Sequence, residues 1–126
     1  MSFTNYTETE VLEWLLTGGA VTRPSSWYVG LFTAAPSDTG GGTEVSGGNY
    51  AREAVTFTVS GDTASNSANI EFNEATASWG TITHAAVFDA SSGGNMLAYA
   101  ALTTSKAIAS GDILRIPAGD FDITLD

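Results

Sequence analysis

Two periodicities divide the chain. Near the N-terminus Val11, Leu12, Leu15 and Leu16 recur at helical spacing, and beyond Gly19 the apolar residues alternate or run in short bursts. The first pattern predicts a single helix of about three turns. Thr7 and Glu10 fit a capping box, with the threonine oxygen taking a free backbone N–H at the helix start. Glu8, Glu10 and Glu13 sit toward the positive end of the helix dipole, and Gly18-Gly19 stop the helix. So short a helix is not stable alone, and its stripe must pack on something. It either caps an open end of the protein's own core, which suits a stripe this narrow, or docks into a groove on a partner.

The second pattern predicts strands. Trp27 to Phe32 reads as a buried strand, and residues 33 to 49 as a long Gly-rich loop, flexible and at the surface. From Tyr50 to Val59, Val55, Phe57 and Val59 alternate with Thr56 and Thr58; Ser67 to Phe72 places Ile70 and Phe72 on one side. Trp79 to Asp89 is a long strand that turns through Ser91 to Gly94 into Asn95 to Leu102, Ile113 to Ile116 is another, and Phe121, Ile123 and Leu125 alternate toward the end. Seven or eight strands without a βαβ rhythm predict a mainly β fold: an antiparallel β-sandwich with one short N-terminal α-helix. The expected core is Val29, Leu31, Phe57, Ile70, Phe72, Phe88, Ile123 and Leu125. Truncating Phe57 to Ala in such a core costs about 3 to 5 kcal/mol. No internal repeat is visible, and residues 1–126 form one domain, with 1–19 as N-terminal arm and helix and 20–126 as the sandwich.

Composition narrows the chemistry. The 14 acids against 4 bases give a formal net charge of −10, and Arg23, Arg52, Lys106 and Arg115 are scattered singly, which disfavours nucleic acid and anionic membrane surfaces. No apolar run is long enough for a membrane span, and the acidic N-terminus lacks the basic region of a secretory signal, so cytoplasmic synthesis is expected. With no Cys and one His, the usual zinc ligand sets cannot be assembled. The calcium-loop motif is absent as well, and Asp120 and Asp122 read as charges protecting a sheet edge. His84, placed by alternation on the face of Ile82, Ala86 and Phe88, reads as a packing residue, and no G-x-S-x-G elbow accompanies it. Gly40-Gly41-Gly42 lacks the Lys of a phosphate loop, and Asp38 and Glu44 on either side would repel phosphate. A carboxylate pair for glycoside hydrolysis stays open, since such pairs meet only in the fold. Trp14, Trp27 and Trp79 could stack on sugars, although Trp27 and Trp79 begin strands and suit the core. The expectation is a protein that is not an enzyme, with no cofactor and no metal.

The stretches YVGLFTAAP, GGGTEVSGGNYAR, ATASWGTITHAAVFDA and SGDILRIPAGDFDITLD resemble small structural proteins of tailed bacteriophages, of head-decoration or tail-fibre-like type. The resemblance runs from about residue 10 to the end and implies a virion component with a jelly-roll-like sandwich. A fibre shaft needs repeats or heptads, whereas a domain of this length has a radius of gyration of about 14 Å. The leading expectation is therefore a capsid decoration (cement) protein that binds the assembled shell, most directly the major capsid protein, and stabilises it by mass action. Local three-fold positions on a shell favour a homotrimer. The alternative is a tail, baseplate or tail-fibre component, with a glycan-degrading enzyme further off. Attachment is expected through Phe3, Tyr6 and Trp14 of the N-terminal segment, or through Asp38 and Glu44 of the Gly-rich loop. Removing residues 1 to 6 is then expected to leave the domain folded and weaken binding to the particle.

Overall fold

The run WYVGLFTA carries apolar side chains on both sides of a strand, and it becomes the middle of the molecule. In the computed structural model, which describes residues 1–125, the elements in order are β1 (Ser2–Phe3), α1 (Asn5–Leu12) continuing into a π-helical turn (Glu13–Thr17), β2 (Trp27–Ala34), β3 (Thr43–Glu44), β4 (Glu53–Val55), β5 (Phe57–Ser60), β6 (Thr63–Asn66), β7 (Ile70–Glu71), β8 (Gly80–Phe88), β9 (Met96–Ile108), β10 (Arg115–Ile116) and β11 (Asp122–Thr124). Every pairing is antiparallel. The large sheet runs β1-β9-β8-β2, and the free edge of β2 is shared by β4 at Trp27–Val29 and β3 at Phe32–Ala34. Two small sheets, β11-β6-β5 and β10-β7, complete the fold.

Alternation along β2 sends Val29 and Leu31 to one face, where they meet Ile82, Ala85 and Val87 of β8 and, from the smaller sheets and their loops, Ile70, Phe72, Leu114 and Phe121. The sheets enclose this main core as the layers of a sandwich. On the opposite face of the large sheet Phe32, Ala86, Phe88 and Met96 form a second cluster, with the Phe32 and Phe88 rings stacked at 6.1 Å. The layers hold six, three and two strands, so the two four-stranded sheets of a jelly roll are not seen.

Three sequence expectations change. The alternating segment Tyr50 to Val59 is not one strand: β4 ends at Val55 in the large sheet and β5 begins at Phe57 in a small one. Thr56 is the corner, with its carbonyl accepting from the Ser67 N–H at 2.9 Å, and Val59 beyond it is 75% exposed. Second, the β8–β9 register slips between Ile82 and His84. Ile82 therefore enters the main core, while half-buried His84 stands opposite Phe32 on the other face, its Nδ1 2.9 Å from the Thr83 hydroxyl. Third, Phe57 and Ile123 are half-buried at the rim of the core and Leu125 is exposed, because β5 and β11 are the two edges of their small sheet. Val29, Leu31, Ile70, Phe72 and Phe88 are buried as expected.

Candidate interaction surface

The helix is held by its first turn. Thr4, not Thr7, is the N-cap, with its side chain accepting from the Thr7 N–H at 3.4 Å. The Thr7 hydroxyl is engaged elsewhere, donating to the Leu97 carbonyl at 2.7 Å, which is why the capping-box reading starts the helix too late. Thr4 is almost fully buried, and its hydroxyl donates to the Met96 carbonyl at 2.7 Å. Just before it, Ser2 and Phe3 pair with Tyr99 and Ala98 of β9. Residues 1 to 6 thus supply an edge strand and a buried cap, so their removal is expected to cost stability in addition to any contact they make on the particle.

Past that first turn the helix leaves the domain. No side chain of the helix or of its π-helical turn is buried. Val11, Leu12, Trp14, Leu15 and Leu16 are 39, 56, 64, 63 and 71% exposed, so the stripe does not cap the protein's own core. The turn ends at Gly18, whose φ of 71° lies in the left-handed region that glycine adopts at little cost. The returning chain then forms the far wall of a groove of about 400 Å³, lined on the helix side by Tyr6, Val11 and Trp14 and on the other by Val21, Pro24 and Trp27. Arg23 sits on its wall.

The Gly-rich loop is built into the fold. Between β3 and β4 the edge of β2 has a gap at Leu31, and the loop closes it. The Leu31 N–H donates to the Tyr50 hydroxyl at 2.9 Å, and the Leu31 carbonyl accepts from the Val45 N–H at 2.9 Å. The Tyr50 ring stacks on Phe72 and meets Trp79 edge-on, while its hydroxyl donates to Glu44 Oε2 at 2.7 Å. Arg52 grips the same carboxylate with Nε and Nη2, both at 2.8 Å, and gives Nη1 to the Ala90 and Gly93 carbonyls at 2.9 Å. Its guanidinium lies 3.4 Å over the Phe88 ring. Burial, followed by the hydrogen bond to Glu44, holds the Tyr50 phenol well above its ordinary value. Gly30 lies beneath: a Cβ there would stand 2.8 Å from Glu44 Oε2 and 3.0 Å from the Phe88 ring. Sequence reading missed this clamp, because its members come from separate turns; the signal was Val45, Tyr50 and Arg52 standing among glycines and serines.

The five expected contact residues divide accordingly. Phe3 is half-buried in β1. Trp14 lines the apolar groove, and Tyr6 borders both it and a polar cleft of about 440 Å³ that includes Asp38 and Glu44. Asp38 ties loop to N-terminus: its carbonyl accepts from the Asn5 N–H at 2.9 Å and its Oδ1 from the Tyr99 hydroxyl at 2.6 Å. That bond raises the Tyr99 phenol; partial burial, then Glu10 and Asp89, raise Tyr6. Glu44 points at Arg52.

An antiparallel β domain whose most apolar exposed element is a helix with no buried side chain has the form of a module that works by assembly. A family model described as Podophage GP4 fiber I protein gp80 matches residues 2–124, and the chain belongs to that family of small, tail-fibre-like phage structural proteins. Membership gives it a structural role in the virion, in association with other virion proteins. No curated protein matches the chain. No helix among the described residues is long and apolar enough to cross a membrane.

Proposed function

We propose that this protein is a structural subunit of a virion fibre, working by docking and not by catalysis, with its N-terminal helix as the attachment element. The observation that carries the reading is the exposure of Leu12, Trp14, Leu15 and Leu16 along the helix and its π-helical turn. Apolar side chains exposed together at this scale are stabilised when a neighbour covers them. The family's description as a fibre protein favours a fibre location. The chain carries no repeat or heptad array from which a shaft is built, so its part is a globular piece seated on the fibre or at a junction.

The second reading is the decoration protein, seated as a homotrimer on the major capsid protein. The same lack of shaft-forming sequence favours it. A photo-crosslinking residue in place of Leu16, carried into assembled particles, separates the two. Adducts with fibre or tail proteins are expected; adducts with the major capsid protein would favour decoration. Absence of the chain from washed virions would remove both readings.

A further inference from the structure

The side of the helix away from the leucines faces a second wall of chain. Tyr6, Glu10 and Trp14 follow one another about a helical turn apart and share one line of the helix. Thr22, Arg23 and Trp27 of the returning chain line the same groove. We infer that this groove is a binding site for an uncharged saccharide. The Trp14 and Trp27 indoles hold the faces of its sugar rings, and Glu10 and Arg23 hold its hydroxyls. The inference goes beyond the structural-subunit reading and does not rest on it.

The groups the site needs are available. Trp14 is 64% exposed, and Trp27 packs in part against the main core while lining the groove. Among the described residues the paired rings belong to phenylalanines, Tyr50 and Trp79, so neither groove indole is taken by an aromatic neighbour. Among the same residues the arginine side-chain hydrogen bonds and ion pairs are made by Arg52 and Arg115. Arg23 therefore stands unpaired, although Glu10 lines the groove with it.

Two opposite charges that share a groove without meeting restrict what fits between them. An anion is drawn to Arg23 but repelled by Glu10 and by the formal charge of −10; a cation meets Arg23. An apolar ligand, or an apolar helix face, covers both charges and gives a hydrogen bond to neither, which is costly. A sugar ring offers C–H faces to the indoles, and hydroxyls that donate to the carboxylate and accept from the guanidinium. An extended peptide finds no ladder to join here. β2 is paired with β4 from Trp27 to Val29 on one edge and with β8 from Tyr28 onward on the other. The groove's volume of about 400 Å³ lies within the range of about 300–1,000 Å³ of small-ligand sites and admits a short oligosaccharide.

The test is saturation-transfer NMR of the full chain with cellotriose, maltotriose, mannotriose and triacetylchitotriose, backed by tryptophan-emission titration. Saturable binding of at least one of them is expected, in the millimolar range or tighter. Its affinity should not change with sodium chloride, because an uncharged ligand is not screened. Trp14→Ala should weaken binding about five- to tenfold, with unchanged far-ultraviolet circular dichroism and thermal midpoint because that side chain is largely exposed. Glu10→Gln, which keeps an acceptor and loses the charge, should weaken it about fivefold. No saturable binding of any of the four overturns the inference. So does preferential binding of trigalacturonate or of cationic chitotriose, or binding that Trp14→Ala leaves intact. A photo-crosslinking residue in place of Trp14 that captures a virion protein in assembled particles makes the groove a protein contact and overturns it as well, while leaving the structural-subunit reading standing.

Discussion

Replacing Tyr50 by Phe keeps the ring that stacks on Phe72 and Trp79 and removes only the hydroxyl. That hydroxyl accepts from the N–H of Leu31, a residue with no solvent exposure, and donates to the Glu44 carboxylate. A buried donor left without a partner costs about 1–3 kcal/mol, and a hydrogen bond to a charged group contributes about 1.5–3 kcal/mol net. Glu44 keeps Arg52, so the two losses overlap and the expected destabilisation is about 3 kcal/mol. For a domain of this size that lowers the thermal midpoint by about 10 °C. Urea unfolding followed by circular dichroism gives the free energy directly. The pH dependence adds a second reading. Tyr50 titrates above its ordinary 10.0 in the folded protein. Above pH 10 the unfolded chain therefore releases a proton that the folded one keeps, and stability falls as pH rises. The Phe variant should show a shallower fall, with a remainder from Tyr6 and Tyr99, whose phenols are also raised. A loss below about 1 kcal/mol, or an unchanged alkaline slope, would refute the clamp as the closure of the β2 edge.

Gly30→Ala should destabilise by about 1–3 kcal/mol in the same unfolding assay, because the new methyl meets the Glu44 carboxylate at 2.8 Å and the Phe88 ring at 3.0 Å. Phe72→Ala, at a position 2% exposed, should cost about 3–5 kcal/mol, and half-buried Phe57→Ala clearly less; equal costs would contradict the sheet change at Thr56. Thr4→Val keeps the buried shape but loses the cap and the bond to the Met96 carbonyl, for an expected loss of about 1–2 kcal/mol. Its helix signal should fray first on heating.

The central strands were legible because burial on both faces leaves an unbroken apolar run, as in Trp27 to Phe32, and burial on one face leaves alternation. Alternation does not record which sheet a residue joins. Val55, Phe57 and Val59 keep their period through Thr56, yet the chain changes sheets there and Val59 ends up in solvent. Nor does it record a slipped register, which put Ile82 and His84 on different faces. In the loop, glycine-rich composition correctly signalled turns, but it masked Val45 and Tyr50, whose hydrogen bonds to Leu31 depend on contacts remote in sequence. The helix stripe was legible as a face that needs covering. Whether the chain covers its own stripe depends on where β9 and the returning segment 19–26 lie, and that is a property of the fold.

These observations separate stability from assembly. Glu44, Tyr50 and Arg52 close the free edge of β2 and share their hydrogen bonds, so a change at any of them is felt by the whole large sheet. Leu12, Leu15 and Leu16 contribute nothing to the core, and the turn that holds their helix uses Thr4 and Thr7 instead. Polar substitution on the leucine face is therefore nearly free for the isolated fold, and it removes exposed apolar surface that otherwise endangers solubility. A chain that keeps three leucines there, beside a charge of −10 that would serve solubility alone, is shaped by what it must bind as well as by how it must fold.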